Sequence, residues 1–308
     1  MRILVIGAGA LGGYFGGRLL AAGRDVTFLV RPRRAAQLAA RGLEIVSLKG
    51  GLQIANPPTV TADKIASHYD LILLSCKAFD LTDAIKSFAP AVGPETMILP
   101  VLNGLLHLDI LASHFGAEHV LGGWSKISAT LDDDGRVHHL SSFHAISFGE
   151  QDGTNTASVE AVAETLGRSD FDARLSDHIL AEMWNKWVFI AAAASLGSLL
   201  RAQVGDIVAA GAESYGTALL EECAAIAARH NFPQDAQGMQ FGEKMLSEAG
   251  SEFKPSMLRD IERGQRTEAH HIVSDLLRRR GDLSTPILQI ADAHLKVYEV
   301  RRARESGA

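Results

Sequence analysis

The strongest constraint on the fold is a glycine motif near the start of the chain. Residues 7–12 read GAGALG and match G-x-G-x-x-G between an apolar strand pattern at 2–6 and a helical pattern that follows. Here the first glycine permits a tight turn, the second lets the backbone approach a pyrophosphate, and the third lets helix and strand pack closely. A glycine-rich turn without a ligand is the alternative. We predict a dinucleotide-binding turn made of Gly7, Ala8, Gly9, Ala10, Leu11 and Gly12, with the phosphates on the helix N-terminus.

Apolar runs and helical patterns alternate through the first half of the chain. Such alternation is typical of parallel βαβ units with buried strands. Residues 137–149 alternate without a helix and predict an antiparallel extension. The strand patterns lie at residues 2–6, 25–30, 71–76, 96–102 and 119–123.

From residue 176 the strand patterns disappear and helical patterns follow one another. Ser176 is predicted to cap a helix that runs past Lys186. Further helices are predicted at residues 208–230, at 267–280 and from 286 to the basic tail. The fold class predicted is α/β, with an N-terminal Rossmann-type, doubly wound, mostly parallel sheet in residues 1–175. An all-helical C-terminal domain follows in residues 176–308, and the 308-residue length suits two domains.

Composition excludes several classes of protein. The formal net charge of −6 gives no basic excess, so no nucleic-acid partner is expected. Two cysteines are too few for a disulfide framework and favour a reducing cytoplasm. The chain enters its first strand pattern directly, which predicts no signal peptide. The most apolar later stretch, residues 187–200, is shorter than the ~20 residues of a spanning helix, so no membrane association is expected.

The residues after the second strand pattern favour NADP over NAD. An NAD site places Asp or Glu about 20 residues after the motif, where it accepts from the ribose 2′-hydroxyl. This chain has VRPRR at residues 30–34 instead. A guanidinium binds a 2′-phosphate bidentately, so Arg31 is predicted to bind it with Arg33 or Arg34 in support; a solvated basic turn is the alternative. Lys77 follows another strand pattern and is predicted to reach the cofactor at the carboxyl edge of the sheet.

Several motifs together resemble the ketopantoate reductase family along nearly the whole chain. The motifs SMLRDI at residues 256–261 and RTE at residues 266–268 are far more specific than the glycine motif. This resemblance implies NADPH-dependent reduction of a 2-keto acid, with 2-dehydropantoate as the first candidate substrate. In order, the motifs are GAGALG at 7–12, SCKAF at 75–79, LNG at 102–104, EMWNKW at 182–187, SMLRDI at 256–261 and RTE at 266–268.

The resemblance makes Lys186 the catalytic acid, bonded to the ketone oxygen. Hydride addition to a ketone leaves an alkoxide that needs a proton and a nearby positive charge, and a lysine supplies both. The alternative is a surface lysine paired with Glu182 one helical turn away. The apolar neighbours Trp184, Trp187 and Phe189 favour catalysis, since a solvated face would not carry them.

Three further polar residues are assigned by the resemblance. Asn103 resembles the asparagine that contacts cofactor and substrate. Glu268 resembles the active-site glutamate near substrate and nicotinamide, and Ser256 the serine that holds the substrate carboxylate. Each has a structural alternative: a turn asparagine, an acid after the N-cap Thr267, and an N-cap after Pro255. The two interpretations of Ser256 are compatible, because a helix N-terminus itself binds anions.

Geometry restricts how Ser256 and Glu268 share a substrate. They are 12 residues apart, so one unbroken helix would separate them by about 18 Å along its axis. Gly264 can end a first helix and Thr267 can cap a second. We therefore predict that the chain leaves helix around residues 264–266.

Part of the polar substrate lining of the family is missing. Ile190 and Ala194 stand four and eight residues after the lysine, where similar members carry asparagines, and Val204 and His270 also depart from the pattern. Ile190 and Ala194 lie on the same face of the helix as Lys186 and are predicted to contact the substrate. A 2-keto acid with a more apolar side chain is therefore a second candidate substrate.

Two other hypotheses remain open from the sequence. A non-catalytic NADP-binding sensor would keep the glycine motif, but it would have no reason to keep Lys186 and Glu268. The oligomeric state is undetermined, and a homodimer through the helical domain is one option. The histidine pairs at 138–139 and 270–271 lack a third ligand at useful spacing, so no metal is expected.

Overall fold

The computed structural model describes residues 1–307, which form two compact units. The first consists of Met1–Leu102 and His107–Leu180, and the second of Asn103–Leu106 with the residues from Ala181 onward. The short segment Asn103–Leu106 thus belongs with the helical unit although it lies early in the chain. The functional division into residues 1–175 and 176–308 stays a prediction.

The first unit is built on a five-stranded parallel sheet with strand order β5-β2-β1-β6-β7. Its central strands are buried on both faces, which explains their continuous apolar sequences. The elements of this unit are β1 (Arg2–Ile6), α1 (Ala10–Ala21), β2 (Asp25–Leu29), α2 (Pro32–Arg41), β3 (Leu43–Ser47), β4 (Leu52–Ile54), β5 (Thr59–Val60), β6 (Leu71–Leu74), α3 (Leu81–Phe88), β7 (Met97–Pro100), α4 (Leu106–Phe115, whose first residue lies in the second unit), β8 (Gly122–Lys126), β9 (Ala129–Leu131), β10 (Val137–His139), β11 (Ala145–Gly149), α5 (Ala157–Gly167) and β12 (Asp172–Leu175).

Two smaller sheets complete the first unit, with strand orders β4-β3-β10-β9 and β12-β11-β8. The antiparallel extension predicted for residues 137–149 is right only in part. β10 pairs antiparallel with β9 but parallel with β3, and β11 pairs antiparallel with β8 but parallel with β12. Alternation of apolar and polar residues indicates that one face of a strand is buried but does not indicate the direction of its partner strands. The parallel partners could therefore not be predicted.

The second unit is helical. Its elements after residue 180 are the rest of α6 (Ile179–Leu200), α7 (Val204–Ala209), α8 (Ser214–Arg229), α9 (Ala236–Ser247), α10 (Ser256–Glu262), a π-helical turn (His270–Ser274), α11 (Asp275–Arg278) and α12 (Pro286–Glu305). The prediction of a Rossmann-type α/β unit followed by a helical unit is therefore confirmed.

Several predicted helix boundaries are wrong. The helix expected to be capped by Ser176 begins at Ile179, and the Ser176 hydroxyl accepts instead from the His178 N–H at 3.2 Å. The single helix predicted at 208–230 is interrupted between α7 and α8, where Gly211 has φ +73°. The helix predicted to start at Thr267 begins only at Ala269, because Thr267 and Glu268 are not helical, and the chain then enters the π-helical turn.

The predicted break between Ser256 and Glu268 is confirmed. Helix α10 ends at Glu262, and Gly264 turns the chain with φ +67°, a conformation that costs other residues energy. Residues 265–268 are not helical. The one-helix arrangement that would have kept Ser256 and Glu268 about 18 Å apart does not occur.

Candidate active site

The glycine motif forms the tight turn between β1 and α1. Gly7 has φ +87°, and its N–H donates to the Leu29 carbonyl at 2.9 Å. A Cβ on Gly12 would overlap the Gly7 carbonyl and the Ser75 hydroxyl, so only glycine lets the helix approach the sheet this closely. Ser75 itself donates to the Ile6 carbonyl at 3.0 Å. The turn therefore joins β1, α1 and the end of β6 in one rigid unit.

This turn fits the pyrophosphate of a dinucleotide. Within residues 1–307, a Cβ built on Gly7 or Gly9 would meet no atom closer than 4 Å, so the backbone faces open space. Helix α1 begins after Gly9 without a side-chain cap from the described residues, and its first turn contains no acid that would repel an anion. Because an α-helix does not satisfy its first N–H groups internally, the start of α1 can bind an anion at its positive end.

The three arginines after β2 have different surroundings. Arg31 is exposed, and its Nη2 lies 3.3 Å from Oδ1 of Asp80. Arg34 is engaged within the protein: it donates to the Ala8 carbonyl at 3.1 Å, to Gln37 Oε1 at 2.6 Å and to the Gly135 carbonyl at 3.0 Å. Burial lowers the pKa of Arg34 from its ordinary value.

Arg34 is accordingly a structural residue that ties the glycine turn to the loop before β10. Arg33 is exposed beside Arg31. That Arg33 or Arg34 supports binding of a 2′-phosphate stays a prediction. Lys77 is exposed three residues after β6, at the carboxyl edge of the sheet. This placement leaves Arg31, Arg33 and Lys77 on the surface of the first unit.

Lys186 lies in the second turn of α6 and is half-buried among apolar residues. Its chain neighbours Trp187 and Trp184 are 1% and 3% exposed. Burial lowers the pKa of Lys186 to about 8, and the attraction of the Glu268 carboxylate opposes part of that shift. A lysine with a pKa close to the operating pH is well suited to give up a proton.

Glu268 is buried and belongs to the non-helical segment after α10. Its carbonyl accepts from the N–H groups of His271 and Ile272, both at 3.0 Å, and thereby starts the next helical turn. Glu268 precedes the first helical residue, Ala269, so it is not an acid within a first helical turn after Thr267, which was the structural alternative. Both predicted catalytic residues belong to the helical unit, and the Glu268 carboxylate raises the pKa of Lys186.

The segment that carries Glu268 is anchored to α12, a feature that sequence reasoning missed. The backbone N–H and hydroxyl of Thr267 donate to Glu299 Oε1 at 2.7 and 2.6 Å. Arg302 donates to the other oxygen of that carboxylate at 3.1 Å, and Tyr298 donates to the Gln265 carbonyl at 2.7 Å. Partners 32 and 33 residues apart leave no local sequence signal.

Asn103 and Ser256 occupy different parts of the helical unit. Asn103 is half-buried three residues after β7. Ser256 is exposed and is the first residue of α10, with Pro255 in the N-cap position that was predicted for Ser256. The Pro255 ring packs on Gly197, where an added Cβ would lie 3.1 Å from Pro255 Cγ.

One face of α6 connects these positions. Ile190, Ala194 and Gly197 follow Lys186 by four, eight and eleven residues, and such spacings align on a helix. Ile190 is half-buried and Ala194 is buried. Pro255, the residue before Ser256, therefore packs against the helix that carries Lys186.

The remaining positions that depart from the family pattern do not add polar groups to this face of α6. Val204 is buried at the start of α7, and its N–H donates to the Phe253 carbonyl at 3.1 Å. His270 is exposed. Residues 1–307 contain no group of three or more His, Cys, Asp or Glu side chains arranged to hold a metal. Over the same residues, each helix is too short or too polar to span a membrane.

Comparison with known proteins covers both units. The profile "Ketopantoate reductase PanE/ApbA" matches residues 3–153, and "Ketopantoate reductase PanE/ApbA C terminal" matches residues 178–299. An "Uncharacterized oxidoreductase YkpB" of Bacillus subtilis (strain 168) is 35% identical over 305 residues, covering 98% of this chain and 100% of that protein. A 2-dehydropantoate 2-reductase of Mesorhizobium japonicum is 27% identical, covering 98% and 99%.

Solved structures share the fold over the full length. A 2-dehydropantoate 2-reductase from Methylococcus capsulatus has a TM-score of 0.87 at 26% identity, covering 98% of each chain. D-mandelate dehydrogenase with NADH and anilino(oxo)acetate has a TM-score of 0.87 at 22% identity, covering 98% of this chain and 99% of that one. The second likeness shows the fold alone.

Proposed function

Since the chain belongs to the ketopantoate reductase family, a family of oxidoreductases, we propose that it reduces a 2-keto acid to a 2-hydroxy acid with NADPH. We propose 2-dehydropantoate as the substrate and pantoate as the product, which places the enzyme in pantothenate biosynthesis in the cytoplasm. The observation that carries this proposal is the pairing of half-buried Lys186, whose pKa is about 8, with the buried carboxylate of Glu268.

The cofactor is assigned from the residues of the first unit. NADPH, when bound, supplies the hydride that adds to the ketone carbon. The glycine turn holds its pyrophosphate, Arg31 with Arg33 holds the 2′-phosphate of its adenosine, and Lys77 contacts the cofactor at the carboxyl edge of the sheet. Arg31 supports this assignment because it is exposed and its Nη2 lies 3.3 Å from Oδ1 of Asp80. At this distance the ion pair is weak enough for a phosphate to compete for the guanidinium.

Lys186 supplies the proton in the proposed reaction. As the carbon–oxygen π bond breaks, the oxygen takes a proton from the Lys186 ammonium and becomes the product hydroxyl. The positive charge on Lys186 also stabilises negative charge that develops on this oxygen. Glu268 raises the pKa of Lys186 against the effect of burial, so it keeps the lysine protonated at neutral pH.

The remaining residues hold the substrate. The Ser256 hydroxyl binds the carboxylate, Asn103 orients cofactor and substrate, and Ile190 with Ala194 contacts the substrate side chain. Ile190 and Ala194 also favour a second candidate, a 2-keto acid with a more apolar side chain. A hydroxyl facing these two residues finds no hydrogen-bond partner from them, whereas a methyl group gains contact.

A panel of substrates tests the proposal. NADPH oxidation is followed with 2-dehydropantoate and with branched, aromatic and linear 2-keto acids, and the product is identified by mass. The highest kcat/KM is expected for 2-dehydropantoate. A higher value for an apolar acid would select the second candidate, and no turnover with any 2-keto acid would refute both. NADPH binding without turnover of any 2-keto acid would instead favour the hypothesis of a non-catalytic NADP-binding sensor.

The assembly state is a separate prediction. The helical unit is proposed to support a homodimer. Size-exclusion chromatography with light scattering measures the mass directly, and a mass near the 33.0 kDa of one chain would exclude the dimer.

A further inference from the structure

The π-helical turn His270–Ser274 begins two residues after Glu268 and is held by a tryptophan from α6. The indole N–H of Trp187 donates to the Ile272 carbonyl at 2.8 Å, and both partners are buried. Trp187 is the residue after Lys186. A π-turn removes carbonyls from the regular α-helical ladder, and such turns occur frequently at functional sites. Trp187 supplies the Ile272 carbonyl of this turn with a donor from α6.

Ile272 connects the two catalytic positions through a single residue. Its N–H donates to the Glu268 carbonyl at 3.0 Å, while its own carbonyl accepts from Trp187. The order of contacts is therefore Lys186, its chain neighbour Trp187, Ile272 and Glu268. A displacement of α6 against the π-turn would change the separation of the Lys186 ammonium and the Glu268 carboxylate.

The same turn meets the segment that carries Asn103. A Cβ on Gly104 would lie 2.5 Å from the His271 carbonyl oxygen and 3.7 Å from Trp187 Nε1, so the Gly104 backbone lies against the turn. Gly104 has φ +79°, which also favours glycine. The neighbours of Asn103, Lys186 and Glu268 thus converge on one buried turn.

The Trp187 ring itself has little freedom. It packs against Trp184 with ring centroids 4.9 Å apart, and the Arg279 guanidinium carbon lies 5.5 Å from its centroid. A ring held on its faces in this way keeps its N–H directed at the Ile272 carbonyl. Trp187 can therefore hold the π-helical turn in place as well as pack in the core.

We propose that Trp187 is a positioning residue, whose indole N–H sets the place of Glu268 relative to Lys186 by holding the Ile272 carbonyl. This inference rests on the proposed roles of Lys186 and Glu268. It predicts that loss of the N–H alone, with the ring kept, weakens the coupling between the two charges. Shape and packing of the core would be retained.

The test replaces Trp187 with β-(3-benzothienyl)alanine, in which sulfur replaces the indole N–H at nearly constant size. The matched control carries the same replacement at Trp184, whose ring stacks on His230 and Phe232. Trp187→Phe is a second variant that also lacks the donor. The pKa of Lys186 is measured by ¹⁵N NMR of labelled lysine, with Lys186→Met to assign the signal, and kcat is measured on the best 2-keto acid.

In the Trp187 isostere we expect the Lys186 pKa to fall, because Glu268 is no longer held near the ammonium, and kcat at pH 7 to fall about tenfold. In the Trp184 isostere the Lys186 pKa should be unchanged and kcat should stay within twofold of that of the unmodified protein. A Trp187 isostere with unchanged Lys186 pKa and kcat would overturn the inference. If the protein reduces no 2-keto acid but the Lys186 pKa still falls, the coupling stands and the proposed function fails.

Discussion

The charges of single residues carry the proposed chemistry. Lys186 combines a half-buried position with a carboxylate neighbour, and the two influences shift its pKa in opposite directions to about 8. Arg31 is an exposed guanidinium where an NAD site would place a carboxylate. The candidate roles of Lys186 and Arg31 could be proposed from sequence, because residue type and distance along the chain from a motif are sequence properties. The engagement of Arg34 could not, since Gly135 is 101 residues away.

Arg31→Asp should reduce or reverse the preference for NADPH over NADH. The substitution replaces a partner of the 2′-phosphate with a group that repels it and accepts from a 2′-hydroxyl. Dissociation constants for both cofactors are measured by fluorescence titration. The control is Arg41→Asp, the same charge change at the other end of α2. Equal affinities for NADPH and NADH in the unmodified protein would remove the basis for this assignment.

Ile190→Asn combined with Ala194→Asn should raise kcat/KM for 2-dehydropantoate relative to 2-keto-3,3-dimethylbutyrate, which lacks the hydroxyl. The amides offer that hydroxyl partners on the Lys186 face, and an apolar wall discriminates by only about 1–3 kcal/mol per methyl group. Ile190→Leu is the control that keeps the wall apolar. An unmodified enzyme that already prefers 2-dehydropantoate by about 10⁴-fold, the scale of a dedicated hydrogen-bonding pocket, would show that other residues read the hydroxyl.

At the scale of elements, sequence patterns predict the type of most elements better than their ends. The buried strands β1, β6 and β7 follow from apolar runs, and the break after α10 follows from Gly264. Helix α9 was not predicted because glycines at 238 and 242 weaken its pattern, although Asp235 caps it by accepting from the Gly238 N–H at 2.6 Å. The π-turn depends on tertiary partners and has no local signal.

Glu299→Ala should loosen the segment that carries Glu268. The substitution removes the acceptor of two Thr267 bonds and of the Arg302 bond, and hydrogen bonds to a charged group contribute about 1.5–3 kcal/mol each. We expect a lower Tm and a kcat reduced about tenfold, with NADPH affinity retained. Glu299→Gln keeps an acceptor and should be intermediate.

Glu305→Ala is the control for this series, since it removes an exposed carboxylate from the same helix. Calorimetry gives Tm and steady-state assays give kcat. A lower Tm with unchanged kcat in Glu299→Ala would show that the anchor serves folding alone.

In the molecule as a whole, the dinucleotide turn and the Lys186–Glu268 pair lie in different compact units. The sequence places the glycine motif and the lysine in stretches with different periodicity, and the functional division between the two units stays a prediction. Contacts within the helical unit, such as those of Glu299 and Trp187, were beyond sequence reasoning because they join positions 32 and 85 residues apart. These contacts hold the segments next to Glu268, one of the two proposed catalytic residues.

The most direct test of the account is the pH dependence of kcat for NADPH oxidation by 2-dehydropantoate in the unmodified protein and in Lys186→Ala. The proton donor is the ammonium form, so kcat should be retained below pH 8 and fall as pH rises through about 8, the pKa of Lys186. Lys186→Ala should lower kcat by about 10²-fold or more, in line with loss of a general acid, and still bind NADPH. A kcat that stays constant to pH 10, or a Lys186→Ala variant with near-normal turnover, would contradict the account.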